Sequence, residues 1–471
     1  MALTSISDRL TPSAPIEITF GAQPVAQGRK ITTLFAHRAL VGGAGLDYEA
    51  YMVVNVGDPV KAQAEVDLEF GAGSQAGKMA YAFVAANAFV GRSNFPAFRI
   101  ICLPFAVTDF GPADEAIITA KTLRSDMFVS CYPASNAAAN LKLKNLCALI
   151  SGPDRDLNGQ FGSFFTVGSL DVLSAALLYN INSRYAQVAY LQDTNSAAVV
   201  GELGDTTAGQ DIVFAIASTV GIYEGASISG LGIAVGAKVI KVMSDKVQVS
   251  LPNTGTFAGS ALTIQNHVSN DVEIVAAAHA AAQMASAFPY NPLQGVAIGG
   301  LIPPKKRSEW ILIDPQGASE QALIGGLSPL TVQPGNIVGF IRTRTTYVLL
   351  PDGVTAVNDY FDWQQLVALN DFREVCYQIT QLPPFNNNPG GTKASVQVAA
   401  KLKDEVLREA QLFEELGAFQ NVKLLAKSFQ VSISTTSRGR FDFKIPVDVI
   451  PGLYVIAGNI QAISDATNFT V

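Results

Sequence analysis

Near the end of the chain, apolar residues fall on alternate positions, and that spacing fits one local conformation. Phe429, Val431 and Ile433 alternate with polar residues. After a turn over 435–439, Phe441, Phe443, Ile445, Val447 and Val449 alternate with Arg440, Asp442, Lys444, Pro446 and Asp448. Side chains of an extended strand point to opposite faces with a period of two, so the pattern specifies strands with one apolar face. Pro446 has no N–H for a ladder bond and suits an edge position. Pro451-Gly452 then leads into a further strand, Leu453 to Ile463. The other terminus is similar. After a polar, Pro-containing arm over residues 1–14, Ile16, Ile18 and Phe20 alternate with Glu17 and Thr19. Both ends of the chain are expected to carry strands.

Between these ends the pattern changes twice. Residues 30–190 mix strand and helix: Ile31 to Phe35, Ala97 to Leu103 and Met127 to Tyr132 read as buried strands, Gly77 to Val90 as a helix, and Asp171 to Leu178 as the start of another. Over 195–268 Gly, Ser, Thr and Val dominate and helical periodicity stops. Ala237 to Met243 and Lys246 to Leu251 read as strands around a turn at Ser244-Asp245, with a further strand at Ala261 to Gln265. This stretch is expected to be a small all-β module inserted into a host domain. Helical pattern returns at Asp271 to Phe288. Ile311 to Leu349 is rich in strand pattern, Phe361 to Thr380 is helical, and the Asn- and Gly-rich stretch 383–392 is a loop. Ser395 to Leu416 is amphipathic, with Leu402, Val406, Ala410 and Phe413 on one stripe and Gly417 where a left-handed cap is wanted.

Length and composition limit the function classes. The 471 residues suffice for about two to four domains. Only 15% of residues are charged, whereas about a quarter is usual, which suggests that other copies of the chain cover much of the surface. A net charge of −7 lacks the cationic surplus that displaces counterions from phosphate, so no nucleic-acid contact is expected. The longest basic run, Lys305-Lys306-Arg307, reads as a solvated loop. Cys102, Cys131, Cys147 and Cys376 are scattered, without a CxxC, and read as buried free thiols. Met1 to Thr11 has neither a basic nor an apolar signal region, and no stretch has the length to span a membrane. Cytoplasmic synthesis and assembly are expected.

No catalytic constellation is present in the pattern. His37, His267 and His279 are far apart and form no ligand motif. Gly71 to Lys78 approximates a phosphate loop, but five residues separate Gly71 from Gly77, and Met79 follows the lysine where a magnesium-ligating hydroxyl belongs. Asp154-Arg-Asp156-Leu-Asn158-Gly159 matches the first half of a calcium loop, yet Phe165 occupies the twelfth position. No cofactor or metal is expected.

A series of short motifs in a fixed order carries a resemblance. It includes Phe70-Gly71-Ala-Gly73-Ser74, the glycine- and arginine-bearing turn over 152–165, Pro292-Leu293-Gln294, Pro303-Pro304, and Ala322 to Ser328. Gly335 to Tyr347 follows, with Arg342-Thr-Arg-Thr345-Thr346-Tyr347, then Gly353, Asp359, Phe372-Arg373, and Arg440 through Ile463. In this order the chain resembles the sheath proteins of contractile phage tails, in particular the Mu-like group. The resemblance covers most of the chain except 195–268.

That resemblance implies a mixed α/β, multi-domain fold, a contractile tail sheath core with terminal arm strands; the inserted all-β module, read from the residue pattern, is a departure from the family. The expected parts are an N-terminal arm (1–22), an α/β domain (23–194 with 269–355), the insert (195–268) and an inner C-terminal domain (356–471). It implies a structural, non-enzymatic subunit that stacks as hexameric rings into a helical sheath around a tail tube, in contact with baseplate and terminator proteins. Contraction would drive the tube through the host envelope. Neighbouring subunits would exchange strands through Ile16, Ile18, Phe20, Leu453, Val455, Ile460 and Ile463. The polar face of the helix at Ser395, carrying Lys401, Lys403, Arg408 and Glu409, is the tube-facing candidate. The sheath of a phage-like bacteriocin or secretion system, and another tail or baseplate part, are the alternatives. A polysaccharide-binding or enzymatic role centred on the insert is the reading from a different class.

Overall fold

The computed structural model describes residues 30–88, 96–105, 107–151, 162–170, 181–191, 199–219, 222, 226–265, 270–286, 290–303, 318–335, 337–350, 355, 362–381, 385, 395–433 and 441–451. The terminal strands expected over Ile16 to Phe20 and Leu453 to Ile463 lie outside the described residues. So do the helix from Asp171, the calcium-like loop 154–159, His267, the basic run 305–307 and most of the loop 383–392.

Strands with continuous apolar runs must be covered on both faces, and they collect into a parallel sheet. In chain order this unit contains β1 (Ile31–His37), β2 (Ala50–Met52), α1 (Pro59–Phe70), α2 (Gln75–Ala88), β3 (Ala97–Leu103), α3 (Glu115–Thr122), β4 (Met127–Pro133), α4 (Ala137–Ile150), β5 (Phe164–Ser169) and β6 (Ala186–Tyr190). Strand β1 lies between β3 and β4, parallel to both, with Leu34 opposite Ile100 and Val129. Strands β4, β5 and β6 continue the parallel array. Every residue of β3, β5 and β6 is buried.

The helices start where the sequence supplies caps. The Asp58 carboxylate accepts from the Val60 and Lys61 amides at 3.0 and 3.2 Å, and Pro59 takes the first helical position. Asn136 caps α4 in the same way, accepting from the Ala139 amide at 3.1 Å.

After β6 the chain enters a second, separate sheet. Its strands are β7 (Val199–Thr206), β8 (Ile212–Phe214), β9 (Ser227–Gly230), β10 (Val239–Val242), β11 (Val247–Val249) and β12 (Phe257–Gln265), in the spatial order β10-β11-β8-β7-β12-β9. All pairings are antiparallel. A bridge between Ser227 and Lys238 brings its two end strands together, so the sheet curls toward closure. Val213, Ile228, Val239, Val247, Leu262 and Ile264 fill a core of its own. The hairpin turn falls where the sequence places it: the Met243 amide donates to the Lys246 carbonyl at 2.9 Å across Ser244-Asp245.

The chain then returns to the first unit through α5 (Val272–Met284), β13 (Ala297–Ile298), α6 (Ala318–Ile324), β14 (Ser328–Gln333) and β15 (Ile337–Phe340). Strand β14 joins β6 in parallel, and antiparallel strands finish both ends, giving the order β13-β15-β14-β6-β5-β4-β1-β3-β2. Helix α5 is buried from Val275 to Met284. Its alanines allow close approach to the sheet, and Gly168 of β5 is where the backbones meet: a Cβ there would lie 1.9 Å from the Val272 carbonyl oxygen.

The last unit contains α7 (Trp363–Gln381), α8 (Val396–Glu415), β16 (Phe419–Gln420), α9 (Val422–Leu425), β17 (Gln430–Ile433), β18 (Phe441–Lys444) and β19 (Asp448–Val449). The strand expected to run unbroken from Phe441 to Val449 is interrupted over Ile445–Val447. Pro446 cannot extend the ladder, so β18 pairs with β17 while β19 pairs with β16.

Candidate assembly surfaces

The first arrangement of interest is the joint between the nine-stranded sheet and the C-terminal unit. Helix α7 belongs to both cores: Trp363, Leu366 and Val367 pack into the first, and Ala368, Phe372 and Ile379 into the second. A polar seam runs beside it. Lys30 Nζ lies 3.4 Å from the Asp371 carboxylate, and the Tyr290 hydroxyl donates to the same oxygen at 3.1 Å. Arg124 pairs with Glu374 at 2.8 Å, and Arg373 donates to the Ser151 carbonyl at 3.2 Å. Asp126 lies in this seam and accepts from the Ile31 amide at 2.8 Å. Burial pushes its carboxyl up to about 6, against the opposing pull of the Ile31 amide, Arg124 and Lys30, with Asp371 adding to the rise.

The segment Arg342 to Tyr347 anchors this joint. Arg342 grips Asp362 with two hydrogen bonds, and the Asp362 amide donates to Gln365 Oε1 at 3.0 Å, one half of a capping box at the start of α7. Thr343, Arg344, Thr345 and Thr346 are buried. The Arg344 amide donates to Ser328 Oγ at 2.9 Å, and its guanidinium donates to the Leu323 carbonyl. The Thr346 hydroxyl accepts from the Ser183 amide at 3.1 Å and donates to the Ile181 carbonyl. The motif therefore joins β14, the turn before β6 and the start of α7. Arg344 and Thr346 thus satisfy buried backbone groups, while Arg342 pairs with a buried carboxylate of the chain itself.

The C-terminal unit is built on α8. Ser395 Oγ accepts from the Val398 amide at 3.3 Å, and Gly417, at φ +73°, ends the helix. Its amide donates to the Glu414 carbonyl and that of Ala418 to the Phe413 carbonyl, a Schellman closure. The stripe read from sequence is buried at Leu402, Val406, Ala410 and Phe413. Phe413 joins Phe372 and Phe419 in a ring cluster with centroids 5.1–5.3 Å apart. The two short sheets β16-β19 and β17-β18 flank this cluster, each of two strands among the described residues.

The four residues expected on one polar face of α8 do not share one. Lys401 and Arg408 are exposed and lie two turns apart on one flank. Lys403 is half-buried and lies about 160° round the helix from Lys401, at 3.6 residues per turn. Glu409 is only 6% exposed, so its placement on the outer face is corrected. Its carboxylate is turned inward and held by Arg408 at 3.0 Å. Burial pushes the nearby Cys376 thiol up to about 12, and Glu409 adds to that rise.

The other suggestive motifs resolve into structure. Gly71, at φ +93°, ends α1, and a Cβ there would sit 2.7 Å from Ala39 Cβ. Ser74 caps α2 by accepting from the Gly77 amide at 2.9 Å while donating to Asp67 at 3.1 Å. The helix N-terminus that a phosphate would need thus faces the chain's own hydroxyl and carboxylate. His37 sits beside the Pro104 carbonyl at 2.7 Å, and His279 is fully buried in α5 against the Phe340 ring. Among the described residues no group of three or more His, Cys, Asp or Glu could hold a metal ion, and no helix is long and apolar enough to cross a membrane.

No family model matches the chain, and no curated relative matches it. Solved structures do. The chain is similar to a chain of the anti-feeding prophage baseplate, determined by cryo-electron microscopy with six-fold symmetrisation, at TM-score 0.52 and 10% identity over 96% of this chain and 99% of that one. It is also similar to the sheath tail protein Lin1278 from Listeria innocua, at TM-score 0.50 and 9% identity over 89% and 95%. At these identities the likeness is one of fold, and the fold is the mixed α/β, multi-domain architecture seen in that sheath tail protein.

Proposed function

We propose that this chain is a structural subunit of a contractile tail sheath of the Mu-like group. It polymerises helically as stacked hexameric rings around a tail tube, meets baseplate and terminator proteins at the ends, and contracts to drive the tube through a host envelope. It acts by assembly and not by catalysis, is put together in the host cytoplasm and resides in the virion tail. The observation that carries the reading is the fold match to a sheath tail protein over nearly the whole of both chains. The expected parts are the arm (1–22), the α/β domain (23–194 with 269–355), the insert (195–268) and the inner domain (356–471).

The mechanism proposed is strand exchange. Ile16, Ile18 and Phe20 of one copy, and Leu453, Val455, Ile460 and Ile463 of another, extend the short sheets beside α8 in a neighbour. Two-stranded sheets are marginal alone, and added strands stabilise them. Lys401 and Arg408, on one exposed flank of α8, are the tube-facing pair. Deleting residues 453–471 is expected to leave a folded subunit that does not polymerise. Tubular polymers from that truncation would refute the exchange.

A second reading is a phage-like particle that carries no genome, with this chain in its sheath or baseplate. The similarity to a chain of the anti-feeding prophage baseplate favours it. Whether genes for DNA packaging neighbour this one distinguishes the two.

A further inference from the structure

Two exposed apolar patches of opposite charge lie far apart on the molecule. The first surrounds β2, the end strand of the nine-stranded sheet. Val41, Leu68, Val54 and Leu40 are 81%, 78%, 77% and 73% exposed. Two segments hold these residues beside α1, which carries Leu68: the Ala39 and Gly45 amides donate to the Phe70 and Glu69 carbonyls, and the Val54 amide donates to Glu65. From Arg38 to Phe70 the carboxylates Asp47, Glu49, Asp58, Glu65, Asp67 and Glu69 face only two cations, Arg38 and Lys61.

The second patch lies on the insert, along the β9–β10 connection and the outer side of β10. Val235 is 100% exposed, Leu231 66% and Ile240 49%. Lys238, Lys241 and Lys246 stand here against a single Asp245. Neither patch covers the other in the single chain, since both are open to solvent. The insert leaves the main sheet at β6, five strands from β2. At about 4.8 Å per strand that is a separation of about 24 Å.

We propose that the acidic β2–α1 surface of one copy receives the lysine-bearing β9–β10 surface of the insert of a second copy. Large contiguous apolar patches on a soluble chain mark contact sites, and opposite charge selects the partner surface. The contact joins two different surfaces, so each copy keeps one of each free and the association propagates as a ring or filament. The proposal rests on the self-assembly reading and assigns the insert a role in it.

The test uses full-length protein. Val54→Cys and Val235→Cys chains are mixed under mild oxidation, with the parent chain as control for its own thiols. The expected result is a disulfide-linked dimer at least tenfold more abundant in the mixture than in either variant alone. Lys238→Glu with Lys241→Glu is expected to lower sedimentable polymer at least tenfold, and adding Glu49→Lys with Glu69→Lys is expected to restore it. Polymer at the parent level in the lysine variant, with no cross-link in the mixture, overturns the proposal. A parent chain that stays monomeric at every concentration overturns the self-assembly reading itself.

Discussion

Arg342 and Asp362 meet as a two-pronged pair, Nε to Oδ1 at 2.8 Å and Nη2 to Oδ2 at 3.0 Å, with Asp362 only 2% exposed. The pair fixes the start of α7, the helix that enters both the α/β core and the C-terminal core. It works beside the Lys30–Asp371 and Arg124–Glu374 pairs, which join the same two units further along α7. Arg342→Leu leaves the Asp362 charge buried without its partner, and a loss of about 3 kcal/mol is expected in urea unfolding. Arg342→Lys keeps the charge without the fork and is expected to lose less. Equal stability of the leucine variant and the parent would remove the anchor from the account.

His279 makes the fold sensitive to acid. It is fully buried, and both ring nitrogens lack a hydrogen-bond partner among the described residues. Burial pushes its imidazole down to about 3 from an ordinary 6.5. The folded state therefore excludes a proton that the unfolded chain accepts below pH 6.5, and stability falls with pH from 6.5 toward 3. Between pH 6.5 and pH 5 the loss is roughly 2 kcal/mol. His279→Leu is expected to flatten that slope, measured as denaturation midpoints across pH.

Asp126 acts with the opposite sign. Its carboxyl is raised to about 6, so the folded state binds a proton more readily than the unfolded chain between about pH 4 and pH 6. Stability from this group rises as pH falls through 6 and is lost again above it. Asp126→Asn still accepts from the Ile31 amide and removes the buried charge. It is expected to gain about 1–2 kcal/mol at pH 8 and nothing at pH 4. A variant destabilised equally at both values would place the cost in lost contacts.

Lys401 and Arg408 share a flank of α8 that the core does not use. Reversing Lys401 alone to glutamate is expected to leave the thermal midpoint within about 2 °C, because exposed charges contribute little to stability, whereas Arg408 is kept because it holds the buried Glu409 carboxylate. The same variant is expected to lose at least tenfold in cosedimentation with a purified tail tube. Lys403→Glu, on the other side of the helix, serves as the matched control.

Much of the scaffold is legible in the sequence because burial leaves a simple trace. The mainly apolar runs at Ala97 and Met127, broken by Arg99 and Ser130, become strands β3 and β4, each parallel to β1, and the stripe Leu402, Val406, Ala410 and Phe413 becomes the inner face of α8. Helix α1 is not visible in this way, since its buried stripe is the narrow Ala62, Val66 and Phe70. Its cap, Asp58-Pro59, is the signal that would find it. Strand β9, Ser-Ile-Ser-Gly, carries one apolar residue, and both it and β7 pair with β12, distant in sequence. At the candidate surfaces the difficulty is different. The charge of Glu409 points to the outer face, yet the residue lies beside the apolar stripe and its carboxylate is buried beneath Arg408. The Arg342 to Tyr347 motif gave a resemblance but not its physical role, which depends on Asp362, Ser183 and Ser328 contacts that only the fold brings together.

Strand exchange predicts that a purified full-length chain forms hollow, transversely striated cylinders visible by negative-stain electron microscopy. It also predicts that density at the subunit joints shows residues 16–20 and 453–463 added to the sheets of adjacent copies. Particles that remain single at high concentration, or cylinders in which both segments fold back onto their own molecule, would contradict it.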